Sequence, residues 1–197
     1  MSRWDAREEA GWALDLDELA ALLTPRTRLV VVILPHNPTG YIMPAGDFAE
    51  LLRLAEERGI TVVSDEIYAG LAVDPAAELA PAATLSPRAV SLGGLSKSFG
   101  LPGLRVGWIA TADRALLDRA RRVRMHANSF ASAPSEYLAA IALRHSAAIL
   151  ARNRGDRARQ PCRRRGVHRR PPRPAGVARA VRRRARLPAA AWTRDRR

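Results

Sequence analysis

Two short runs of apolar, mostly β-branched residues, 29–34 (LVVVIL) and 60–64 (ITVVS), bracket a segment with helical spacing. Six consecutive apolar residues suit a parallel strand covered on both faces, because a strand with one wet face would alternate. Between the runs, Pro44 stands where a helix can begin, Phe48, Leu51, Leu52 and Ala55 make a buried stripe, and Gly59 supplies the stop. Strand, helix, strand in this order is a βαβ unit, whose crossover is almost always right-handed. The chain is thereby constrained to an α/β fold, which places its ligand residues in loops at the carboxyl ends of the strands.

The flanking pattern agrees. Asp15 reads as an N-cap with Glu18 three residues on, and Leu16, Leu19, Ala20 and Leu23 follow at one-face helical spacing. Further along, 89–92 and 105–110 read as short strands around a glycine-rich turn. Helices are expected at 113–125, with Leu116, Ala120 and Val123 on one face, and at 135–150.

After about residue 150 this organisation stops. Residues 1–150 hold 15 Lys plus Arg against 17 Asp plus Glu, whereas 151–197 hold 18 Arg against 2 Asp, so the formal charge of +14 belongs wholly to the tail. Only four of those 47 residues are Val, Leu, Ile or Phe, too few to close a core, and the tail is expected to be disordered. Arg, Ala, Pro and Gly are also the residues that GC-rich codons supply, so an out-of-frame reading accounts for the tail; a nucleic-acid-binding arm is the alternative. The expected organisation is a body over 1–150 and an Arg/Ala/Pro-rich tail over 151–197.

The single cysteine, Cys162, excludes an internal disulfide framework, and four scattered histidines do not reach metal-ligand spacing. No run of eighteen apolar residues exists and the amino end lacks a secretory pattern, so the expectation is a cytoplasmic protein without a membrane partner. Among 33 basic residues there is one lysine, Lys97. A chain that uses arginine everywhere else keeps a primary amine at one place.

Four pieces recur in order: HNPTG (36–40), SDEIY (64–68), SK (96–97) and GLPGLRVGW (100–108). In this order and spacing they resemble the class I/II aminotransferases of fold type I, pyridoxal-phosphate enzymes built on a mostly parallel seven-stranded sheet. The resemblance covers about residues 10–150 and implies a central part of that large domain. It implies that Lys97 forms the imine with pyridoxal 5′-phosphate, chemistry that a guanidinium cannot perform. It also implies that Asp65 pairs with the pyridinium nitrogen, that Tyr68 and Asn37 hydrogen-bond the phenolic oxygen, and that Arg105 and Ser96 bind the phosphate. Glu66 should point to the opposite face by strand alternation and has no cofactor role. Gly94 departs from the pattern, since many relatives carry a phosphate-binding serine there. His36 reads as a loop histidine, and SAPSE (132–136) as a loop before a helix.

The resemblance further implies amino-acid and 2-oxo-acid substrates, a homodimer, and no nucleic-acid partner; elimination, cyclisation or decarboxylation on the same cofactor is the alternative chemistry. Three family features have no counterpart here. These are a glycine-rich phosphate turn, an aromatic ring stacked on the cofactor, and a late arginine for the substrate carboxylate. A truncated product is therefore expected.

Overall fold

The computed structural model describes residues 2–127 and 130–159. The expectations for 160–197 lie outside the described residues. Four strands, β1 (Leu29–Ile33), β2 (Thr61–Asp65), β3 (Ala89–Gly94) and β4 (Gly107–Thr111), form one sheet in the order β1-β2-β3-β4. The first three run parallel and β4 returns antiparallel to β3. The fold is the mostly parallel α/β arrangement expected from the βαβ pattern.

Helix α1 (Leu16–Leu22) starts where the Asp15 side chain accepts from the backbone N–H groups of Asp17 (2.8 Å) and Glu18 (3.3 Å), satisfying two donors that have no helical partner. Helix α2 (Ala45–Glu57) follows Pro44 and buries the four residues of the expected stripe, Phe48, Leu51, Leu52 and Ala55. They pack with Val32, Ile60 and Val62 into one core, which α3 (Ala82–Leu85) joins through Ala82. Strand β1 corrects one expectation: it is covered on one face only. Val32 faces the core, while Leu29, Val31 and Ile33 are 50%, 61% and 37% exposed. Side chains alternate along a strand, so the outward row is as apolar as the inward one without having the same cover.

Later elements correct two more. The helix expected over 135–150 is two, α5 (Ala133–Arg144) and α6 (Ser146–Arg159), with the break at His145. Strand β4 begins at Gly107 and not at 105, because a 3-10 turn over Pro102–Leu104 ends on Arg105 in the left-handed region, φ 56° and ψ 35°. Helix α4 (Arg114–Ala127) lies where one was expected over 113–125; Leu116 and Ala120 are half-buried and Val123 is exposed.

Candidate functional site

Parallel register brings the carboxyl ends of β1, β2 and β3 to one edge of the sheet, and antiparallel β4 begins at that edge, with Gly107 paired to Gly94. Asn37 lies just past β1, Asp65 ends β2 with Tyr68 following it, Ser96 and Lys97 follow β3, and Arg105 precedes β4. Adjacent strands lie about 4.8 Å apart. Six positions scattered over 69 residues of sequence therefore share one edge, because the strand order follows the chain order.

Asp65 is half-buried between its neighbours Ile33 and Leu92. Its carbonyl accepts from Leu34 N–H at 3.0 Å, and its Oδ1 accepts from Ile67 N–H at 3.1 Å, which holds the carboxylate at the strand end. Glu66 turns the other way. Its Oε1 accepts from Ala82 N–H and from Ser91 Oγ, both at 2.8 Å, so it caps the start of α3 behind the sheet. Tyr68 is half-buried in the turn that follows. Glu78 secures that turn by accepting from Gly70 N–H at 2.5 Å and Ala72 N–H at 3.3 Å.

The segment before Asn37 closes on itself. His36 N–H donates to the Tyr41 carbonyl (2.8 Å), its own carbonyl accepts from Gly40 N–H (2.7 Å), and Nδ1 contacts Thr39 Oγ1 at 2.7 Å. His36 is thus a turn-closing histidine, and Asn37 is left exposed at the tip.

Lys97 is exposed and its side chain makes no hydrogen bond or ion pair among the described residues, although the loop carrying it is tightly closed. Gly100 N–H donates to the Lys97 carbonyl (3.0 Å), Leu101 N–H donates to Leu95 (2.9 Å), and buried Ser98 donates its hydroxyl to the Ile67 carbonyl (2.9 Å). Arg105 donates to the Pro102 carbonyl, at 3.3 Å. Two cations without an acidic partner among the described residues therefore stand at the end of the sheet that also carries the carboxylate of Asp65.

Glycine at 94 has a steric cause. A Cβ built there would lie 2.8 Å from Ile67 Cδ1 and 3.2 Å from the Val106 carbonyl oxygen. At Gly93 it would meet the Trp108 indole at 2.4 Å. Side chains at these two points would crowd the β3–β4 pair, whose Gly94 end lies beside the loop that carries Lys97.

Sequence motifs did not point to Ser98, Glu78 or Asn153. The Asn153 carboxamide, on α6, donates to the Ser98 carbonyl at 2.8 Å across 55 residues. The available signal was that Leu150, Asn153 and Arg157 repeat at one-face helical spacing inside a stretch whose composition argued against structure.

These strands form a mostly parallel α/β sheet whose strand ends carry an exposed primary amine, a guanidinium and a carboxylate, with no ion pair to either cation among the described residues. The chain matches the family model described as aminotransferase class I and II over residues 1–170, and it belongs to that family. It is 39% identical over 147 residues to capreomycidine synthase of Streptomyces vinaceus, which covers 75% of this chain and 37% of that protein. The structure of N-succinyldiaminopimelate aminotransferase from Mycobacterium tuberculosis superposes with a TM-score of 0.73 at 30% identity, covering 80% of this chain and 41% of that one. A PLP-dependent aminotransferase from Streptococcus suis gives a TM-score of 0.69 at 31% identity, covering 77% and 40%. The chain therefore spans well under half the length of these relatives. No helix among the described residues is long and apolar enough to cross a membrane.

Proposed function

We propose that this chain holds pyridoxal 5′-phosphate at the strand edge as the cofactor-binding part of an aminotransferase, which moves an amino group between an amino acid and a 2-oxo acid. One observation carries the reading: a primary amine and a guanidinium without an ion pair among the described residues and a strand-end carboxylate lie at the same end of the sheet. The donor set fits the group's three polar parts. Asp65 would pair with the protonated ring nitrogen, Asn37 and Tyr68 would donate to the phenolic oxygen, and Ser96 with the planar guanidinium of Arg105 would hold the phosphate. When bound, the cofactor supplies a carbonyl carbon that a primary amine can join and a ring that draws electrons from it. Lys97 is the amine, and its Nζ is also the group able to take and return a proton beside the reacting carbon. The homodimer expected from the resemblance belongs to the same proposal, as does the cytoplasmic location expected from the sequence; sedimentation of the purified protein tests the first.

Titrating purified protein with pyridoxal phosphate should raise an imine absorbance band that is absent in Lys97→Ala. Borohydride reduction should then add the cofactor at the only lysine in the chain, a mass shift on one peptide. A band that persists in Lys97→Ala, or no band in the unaltered protein, would overturn the reading. The alternative on the same cofactor is elimination, cyclisation or decarboxylation, and the 39% identity to a relative named as a synthase, capreomycidine synthase, supports keeping it. Release of a 2-oxo acid from a panel of amino acids separates the two.

A further inference from the structure

Helix α6 places three residues on one face, at the i, i+3, i+7 spacing that stacks side chains along a helix. Each meets a different loop of the strand edge. A Cβ built at Gly70, in the turn after Tyr68, would lie 3.1 Å from Leu150 Cδ1. Asn153 Nδ2 donates to the Ser98 carbonyl at 2.8 Å, and a Cβ at Gly100 would lie 3.8 Å from that nitrogen. A Cβ at Gly40, in the loop after Asn37, would lie 3.9 Å from Arg157 Nη2. This one helix face thus lies beside the loops that follow Tyr68 and Lys97, and its Arg157 guanidinium lies near Gly40 in the loop after Asn37. Leu150 and Ile149 also join the cluster of Leu95, Phe99 and Ala139 beneath the Lys97 loop.

We infer that this face of α6 braces the three loops and that Asn153 is a positioning residue for Lys97. Its carboxamide fixes the Ser98–Phe99 peptide, one residue beyond the lysine. Ser98 is 3% exposed, so its carbonyl has little access to water, and removing Asn153 leaves that acceptor without its partner. Ser98 Oγ, bonded to Ile67, anchors the same residue from the β2 side. The loop is held between two elements that sequence places on either side of it.

The inference takes Lys97 as the cofactor lysine and so rests on the proposed function, yet the brace is measurable without cofactor. Amide hydrogen exchange on the full chain should show Gly100 and Leu101 exchanging about tenfold faster in Asn153→Ala, the scale of one net hydrogen bond. The β1–β2 amides should be unchanged. Asn153→Asp, which keeps the volume but replaces the donor with an acceptor, should behave like Asn153→Ala. Unchanged exchange at Gly100 and Leu101, or equal acceleration throughout the sheet, would overturn the brace. With pyridoxal phosphate added, Asn153→Ala should form the absorbance band at a several-fold higher cofactor concentration, whereas Lys97→Ala should form none. A band retained in Lys97→Ala overturns the cofactor assignment while leaving the exchange result standing.

Discussion

Substituting Gly94 tests why this chain departs from relatives that carry serine three residues before the lysine. A Cβ at 94 meets Ile67 Cδ1 at 2.8 Å and the Val106 carbonyl oxygen at 3.2 Å. Ile67 Cδ1 ends a flexible, half-buried side chain and can move aside. The Val106 carbonyl cannot move freely, since it accepts from Leu95 N–H at 3.1 Å and Gly107 beside it pairs with Gly94. Relief must therefore open the β3–β4 pair or push Ile67 out of its packing, and overpacking of this kind costs about 1–3 kcal/mol. At about 2 kcal/mol the melting temperature of a domain this size should fall by roughly 4–8 °C. Gly94→Ala isolates the steric part; Gly94→Ser adds a hydroxyl that could reach an anion but meets the same neighbours first. Both should lose stability equally in thermal melts of the cofactor-free protein. Melting within 1 °C of the unaltered protein, on the order of the ±0.5 kcal/mol of a neutral surface change, would refute the steric account and leave the glycine a mere family mark.

Phe48→Ala should cost about 3–5 kcal/mol in denaturant unfolding, because Phe48 is 1% exposed at the centre of the α2 stripe. Glu66→Ala should cost about 2–4 kcal/mol by leaving the Ala82 N–H and the Ser91 hydroxyl without their acceptor, yet should leave the cofactor band in place if Glu66 lies behind the sheet. Lys97→Arg should abolish that band while changing stability by less than about 0.5 kcal/mol, since the lysine is exposed and unpartnered among the described residues. Burial raises the Tyr41 phenol above its ordinary range, against an opposing hydrogen bond with the Leu14 backbone, and the Asp47 charge raises it further. The neutral phenol is thus favoured in the folded state, so its stabilisation is complete below the unfolded-state value of about 10 and is lost as pH rises through the higher folded value. Tyr41→Phe should flatten the alkaline fall in melting temperature over that window, and an unchanged slope would count against the burial.

What could be read from sequence was what local chemistry dictates. The runs 29–34 and 60–64 specify strands by their β-branched apolar content, and the Phe48, Leu51, Leu52, Ala55 spacing specifies the helix between them whatever surrounds it. Asp65 and Lys97 stand out in the sequence as a carboxylate at a strand end and the one primary amine among the side chains, which is why the proposed function rests on them. Other features depended on partners far along the chain. Strand β1 looked covered on both faces, since apolar content records what a strand tolerates and not what lies over it. Arg105 was expected inside a strand, but the turn over Pro102–Leu104 sets it in the left-handed region before β4 begins. The stretch after 150 was judged by composition, which averages over positions; the helix there is held by individual contacts, Leu150 against Gly70 and Asn153 on Ser98. Sequence by itself determined the α/β class and marked the residues proposed to hold the cofactor. Tertiary structure decided that β1, β2 and β3 run parallel, so that those positions fall at one end of the sheet, and that Asn153 on α6 reaches Ser98, because strand direction and a hydrogen bond spanning 55 residues are encoded in no local pattern.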